Sequence, residues 1–114
     1  MDPGIDKECQ ALVDAINLLP GMHTTESCCG HGEYPFRIWF RPEHPNHMLP
    51  LLYYINSCHI GFKGWRVEVY TDCAMSHVIW LLEGTIGSNS YKQANEIAEA
   101  LRKEVLNSEE VSVL

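Results

Sequence analysis

The chain has 114 residues and a net charge of −7, with 46% apolar and 20% charged residues. That balance suits one globular domain able to bury a core without disulfide staples. It excludes a membrane span, because no apolar run approaches ~18 residues, and its acidity argues against binding along a nucleic-acid polymer.

Ile5, Cys9, Leu12, Val13, Ile16 and Leu19 recur at helical spacing, and Pro20-Gly21 ends the pattern. Met22–Cys28, rich in threonine and serine, reads as a strand, and residues 36–41 read as a second one dense in β-formers. Pro42, Pro45 and Asn46 make a loop. A short helix follows over 48–57, with Pro50 tolerable only in its first turn. Residues 65–71 alternate, with Trp65, Val67 and Val69 on one face and Arg66, Glu68 and Tyr70 on the other. Residues 77–83 form a further strand. Ala94, Ile97, Ala98, Leu101 and Val105 make the stripe of a last helix from 90 to about 107. Residues 108–114 are then a flexible tail of a single domain spanning 1–114.

The order αββ-αββ-α predicts an α+β fold: a four-stranded, mainly antiparallel sheet with the helices packed on one face. An internal echo accompanies it. Ile16-Asn17 recurs as Ile55-Asn56, and Ile38-Trp39 recurs as Ile79-Trp80. In that register the loop at Cys28-Cys29 corresponds to the loop around Cys73, and the two hairpin tips would be equivalent and side by side. The charge is uneven as well. Residues 1–21 carry −3 and residues 84–114 carry −2, so much of the acidity belongs to the terminal helices.

The segment Glu26-Ser27-Cys28-Cys29-Gly30-His31-Gly32 concentrates the chemistry. Cysteine and histidine bind metals or attack electrophiles near neutral pH, and glycine lets the backbone approach a ligand closely. One reading is nucleophilic, with Cys28 or Cys29 as thiolate and His31 or His59 as base, Cys29 and His31 being the pair singled out. A second is structural zinc held by Cys28, His31, His59 and Cys73, although the usual Cys-x2-Cys pair is missing. No Ser-His-Asp motif, Walker loop or dinucleotide fingerprint is present. Cys9 lies on the apolar stripe of the first helix and belongs to the core. The five cysteines are an odd count, and the first residues lack the basic-then-apolar profile of a secretory leader. The expected setting is the cytoplasm, with reduced thiols.

The third reading is anion binding. Successive amides around Cys29, Gly30, His31 and Gly32 can form a concave nest, with Thr25 and Ser27 adding hydroxyl donors. Arg37, Trp39 and Arg41 share one strand face, and Arg66 and Tyr70 share another. If those faces coincide, three arginines would neutralise phosphate while Trp39 and Tyr70 stack on a base. The loop would wall the pocket and the sheet face would floor it.

The stretch Thr24-Thr25-Glu26-Ser27-Cys28-Cys29-Gly30-His31, after a helix that ends at a proline, resembles the tRNA wybutosine-synthesis methyltransferase family. That family carries Thr-Thr-Ser-Ser-Cys-x-Gly-Arg at a similar place; here Glu26 replaces a serine and His31 the arginine. The match covers about a tenth of the chain, and it implies a shared local fold. The same segment, with Pro35-Phe36-Arg37-Ile38-Trp39-Phe40, also looks like small proteins of Firmicutes and their phages. In that setting, small oligomeric proteins sequester nucleotide immune signals. The resemblance implies a phage-encoded sponge in the host cytoplasm.

The expected function is therefore capture of a small, anionic, nucleotide-like ligand by a homo-oligomer without cofactor. A cysteine/histidine-dependent or RNA-modifying enzyme and a zinc-stabilised interaction protein stand as alternatives.

Overall fold

Residue alternation in the strands decides which side of this protein is wet. The computed structural model describes residues 5–57 and 63–113, without the side chains of Ser57 and of residues 106–113. A 3-10 turn at Lys7–Cys9 leads into α1 (Gln10–Leu18), followed by β1 (Met22–Cys28) and β2 (Pro35–Pro42). Then come α2 (Leu49–Leu52), β3 (Arg66–Thr71), β4 (Val78–Ile86) and α3 (Asn89–Val113). The sheet runs β1-β2-β4-β3, every neighbouring pair antiparallel. The α+β architecture with a four-stranded antiparallel sheet is thus the one the element order predicts.

Boundaries differ where local chemistry overrides periodicity. The stretch expected as one helix over 48–57 divides into a 3-10 turn at Pro45–Met48, the single α-turn of α2, and a π-turn at Tyr53–Ser57. Pro50 falls in the first turn of α2, where its missing N–H is not needed. β4 continues to Ile86 because Ile86 still pairs with Pro35.

On β2 the inward set is Phe36, Ile38 and Phe40, and on β4 it is Leu82, all at most 3% exposed. They pack with Leu12, Val13 and Ile16 of α1 and with Ala94, Ile97 and Leu101 of α3 in one continuous core. Trp65 closes this core just before β3. Its ring lies 5.3 Å from that of Phe36, and its indole N–H donates to Gln93 Oε1 on α3 at 2.9 Å. Gly84 makes room for it, since a Cβ there would stand 2.6 Å from the indole. Cys9 is fully buried, as its place on the stripe implies, and burial pushes its thiol up to about 12.

Two expectations about the internal echo fail, both because of sheet geometry. β2 and β4 are antiparallel neighbours, so the β1–β2 tip lies where β4 ends, and the β3–β4 tip lies where β2 ends. The tips stand at opposite ends of the sheet, separated by six or so residues of strand, roughly 20 Å. The pleat is also out of phase. Ile38 faces the core while Ile79 pairs with Tyr70 on the other face; Trp39 faces outward while Trp80 lies against Phe40, 6.5 Å between rings. Because side chains alternate at every residue, that echo cannot reflect equivalent positions.

Candidate functional site: an aromatic groove and a thiol cluster at opposite ends of the sheet

The residues proposed as one pocket fall into two places. The first is the open face. β4 separates β2 from β3, yet the register aligns their outward residues: Arg37 with Glu83 and Arg66, and Trp39 with Leu81 and Glu68. The two faces therefore coincide, with β4 between them.

That alignment brings both arginines onto one acidic side chain. Glu83 is only 9% exposed and accepts from Arg37 Nε at 2.8 Å and from Arg66 Nη2 at 2.6 Å. Arg66 also pairs with Glu68. Arg37 and Arg66 thus neutralise a carboxylate of the protein itself. Arg41 is exposed and makes no ion pair among the described residues.

Next to Arg41 the face is aromatic. Trp39 reaches over β4, and its indole N–H donates to the Tyr70 hydroxyl at 3.1 Å. A groove of about 260 Å³ runs there, bounded by Thr25, Glu26, Trp39, Arg41, Tyr70 and His77. The register of β1 slips between Thr24 and Glu26, and that bulge leaves Thr25 unpaired at the groove wall. His77 comes from the β3–β4 tip. Its Nδ1 lies 3.0 Å from Asp72 Oδ2 and 2.9 Å from Ser76 Oγ. Contact with His77, and then with Ser76, holds the Asp72 carboxyl well below the usual carboxylate range.

The second place is the loop after β1. Ser27 pairs with Ile38 and turns toward the helices beside the Cys9 thiol, away from the groove. Cys29 follows the strand and is 3% exposed. Its N–H donates to Asp6 Oδ2 at 3.0 Å, which ties the loop to the entry of α1. Gly30 has φ +81°, and a Cβ there would sit 3.0 Å from the Pro35 carbonyl oxygen. His31 takes φ +51°, a left-handed conformation that non-glycine residues rarely adopt. That turn carries the imidazole back over the thiol: Cys29 Sγ lies 3.6 Å from His31 Nδ1 and accepts the His31 N–H at 3.4 Å. His31 Nε2 stands 3.9 Å from Asp6 Oδ2, and the Tyr91 hydroxyl of α3 donates to Cys29 Sγ at 3.9 Å.

The structure therefore brings Cys29 and His31 together and places Gly30 and Gly32 on either side of the imidazole. It keeps all four away from Trp39, Arg41 and Tyr70. Burial raises the Cys29 thiol above its ordinary pKa, and Asp6 adds to the rise, so the thiol stays protonated at neutral pH. A protonated, enclosed thiol is a poor nucleophile. The expected zinc quartet does not assemble. Cys28 and His31 are at one tip and the exposed Cys73 is at the other, while His59 lies outside the described residues.

Asp6, Tyr91, Glu83 and His77 escaped the sequence reading. Asp6 precedes the first helix and resembles a cap; only the fold sets its carboxylate under a loop 23 residues later. Glu83 ended an apolar strand, which hinted at a charge with buried partners. Tyr91 gives no signal, and His77 reads only as a surface or capping residue at the start of a strand.

No protein-family model matches the chain, and neither does any curated protein or solved structure. No described helix is long and apolar enough to cross a membrane.

Proposed function

We propose that the protein binds a small anionic ligand with an aromatic ring, of the nucleotide class, on the open face of its sheet. The observation that supports this best is the Trp39–Tyr70 hydrogen bond. It holds two aromatic side chains together beside Arg41, a guanidinium with no ion pair among the described residues. A base stacks on such a surface and Arg41 takes a phosphate as a bidentate partner. Thr25 supplies a hydroxyl at the wall of the groove.

The ligand contacts differ from those expected of the chain. Arg37 and Arg66 hold the floor together through Glu83, and the phosphate charge falls to Arg41. At about 260 Å³ the groove is close to the lower bound of small-molecule pockets, about 300 Å³. It accommodates one base with part of its sugar. Tight capture needs a ligand enclosed on most sides, which a second copy laid over this face would provide. In this reading the protein is an oligomeric sponge that retains its ligand unchanged, in line with the resemblance to small phage proteins.

Isothermal titration of the full chain against a panel of cyclic dinucleotides, cyclic mononucleotides and ADP-ribose compounds tests the reading, with light scattering to count subunits. Saturable heat for one ligand, lost in Arg41→Ala, supports it. Absence of heat across the panel, together with unchanged tryptophan fluorescence, would sink it. Recovery of intact ligand after denaturation distinguishes capture from conversion.

A further inference from the structure

The thiol cluster has no part in the groove, and its geometry is that of a metal site. Cys29 Sγ, a ring nitrogen of His31 and a carboxylate oxygen of Asp6 all lie within 4.8 Å of one another. The three donors come from two segments: Asp6 from the approach to α1, and Cys29 and His31 from the loop after β1, where His31 takes a left-handed turn between two glycines. From these we propose that Asp6, Cys29 and His31 bind one divalent cation of borderline softness, with zinc the best match.

Distances support the choice of metal. Zinc bonds sulfur at about 2.3 Å and imidazole nitrogen at about 2.0 Å, so a tetrahedral ion holds those two atoms about 3.5 Å apart. Cys29 Sγ and His31 Nδ1 stand 3.6 Å apart. Charge supports it as well: a thiolate, a carboxylate and a neutral imidazole balance a dication. Calcium and magnesium prefer all-oxygen shells, and a sulfur–nitrogen–oxygen set selects against them.

The surroundings fit a thiolate ligand. The His31 N–H points at Cys29 Sγ at 3.4 Å, and the Tyr91 hydroxyl approaches it at 3.9 Å. Such donors stabilise sulfur that carries negative charge. The side chain of His31 is 69% exposed, which leaves an entry path for the ion. Three donors from the described residues leave the fourth tetrahedral position to water, the arrangement of an open zinc site.

The strain at His31 points the same way. A histidine at φ +51° sits where glycine would be at ease, and both its neighbours are glycines with positive φ. That conformation is what turns the imidazole back over the Cys29 thiol.

The test uses the full chain, stripped with a chelator and titrated with cobalt(II) and then zinc(II). One equivalent of cobalt with a thiolate-to-cobalt charge-transfer band, displaced by zinc, is expected. Cys29→Ser removes the band, and Asp6→Asn and His31→Gly weaken zinc binding by at least the roughly tenfold that loss of an outer-shell partner alone costs. His31→Gly keeps the test sound should Cys29→Ser fold poorly, because glycine suits that backbone. Cys73→Ser retains full stoichiometry. Failure of the full chain to bind either ion overturns the proposal. So does a charge-transfer band that survives in Cys29→Ser, or binding undiminished in His31→Gly. Nucleotide titration of the same variants reports on the groove separately, so each reading stands or falls alone.

Discussion

Trp39 and Tyr70 belong to strands that never touch, yet the indole N–H of one donates to the hydroxyl of the other at 3.1 Å across β4. Stacking on such a side chain contributes about 1–3 kcal/mol per base. Trp39→Ala is accordingly expected to weaken ligand binding by roughly ten- to a hundredfold. Tyr70→Phe keeps the ring, loses one hydrogen bond, and should cost about tenfold at most. Titration calorimetry with the ligand that binds the parent protein checks both. Equal losses in the two variants would refute the assignment of Trp39 as the stacking platform.

Glu83 is a structural residue of the open face. Two guanidiniums converge on its carboxylate, and removing it leaves Arg37 and Arg66 facing each other. Breaking a fully buried pair costs about 3–5 kcal/mol, but both arginines here are partly solvated, so Glu83→Ala is expected to lose ~1–3 kcal/mol. Urea unfolding measures it. Arg41→Ala should leave the same midpoint unchanged, since that side chain makes no ion pair among the described residues.

Gly30 is the position in the loop that cannot take a side chain. At φ +81° with the Pro35 carbonyl 3.0 Å from the missing Cβ, Gly30→Ala suffers both backbone strain and a clash with main chain. A loss of ~2–3 kcal/mol is expected. Gly32→Ala, at φ +83° with nothing within 4 Å of its Cβ, carries strain alone and should lose ~1 kcal/mol. Thermal unfolding of the two variants should rank them in that order; the reverse order would mean that the Pro35 contact does not exist.

Stability should fall at both extremes of pH, for different residues. Asp72 has its pKa lowered in the folded chain, mainly by His77. The unfolded chain therefore binds the proton first, and the stabilisation, fully present above about pH 4, is lost as pH falls further. Cys9 has its pKa raised by burial to about 12. The unfolded chain releases that proton first, so stability declines as pH rises past about 9 toward the folded value. Unfolding curves of Asp72→Asn and Cys9→Ala against pH check this: each variant should flatten one limb and spare the other.

Much of the architecture could be read from residue order. The stripe from Ile5 to Leu19, the alternation Phe36-Arg37-Ile38-Trp39-Phe40-Arg41 and the stripe from Ala94 to Val105 each encode a face by local periodicity, and those faces are the ones the core buries. The order αββ-αββ-α and the antiparallel sheet follow from them. The candidate site was legible in composition and not in arrangement. Cys29, His31, Trp39, Arg41 and Tyr70 were all singled out as carriers of chemistry.

Which of them meet was a matter of strand order and register. Placing β4 between β2 and β3 set Glu83 between two arginines and so paired both with a carboxylate of the protein, while it brought Trp39 within reach of Tyr70. The antiparallel pairing of β2 with β4 sent the two hairpin tips to opposite ends, which separated His31 from Cys73 and the loop from the groove. The fold then supplied Asp6 and Tyr91 to the cysteine from elements that no spacing rule connects to it. Period and polarity are local properties that the sequence by itself determines. Charge pairing and donor geometry depend on distances between segments, and only the tertiary structure decides those.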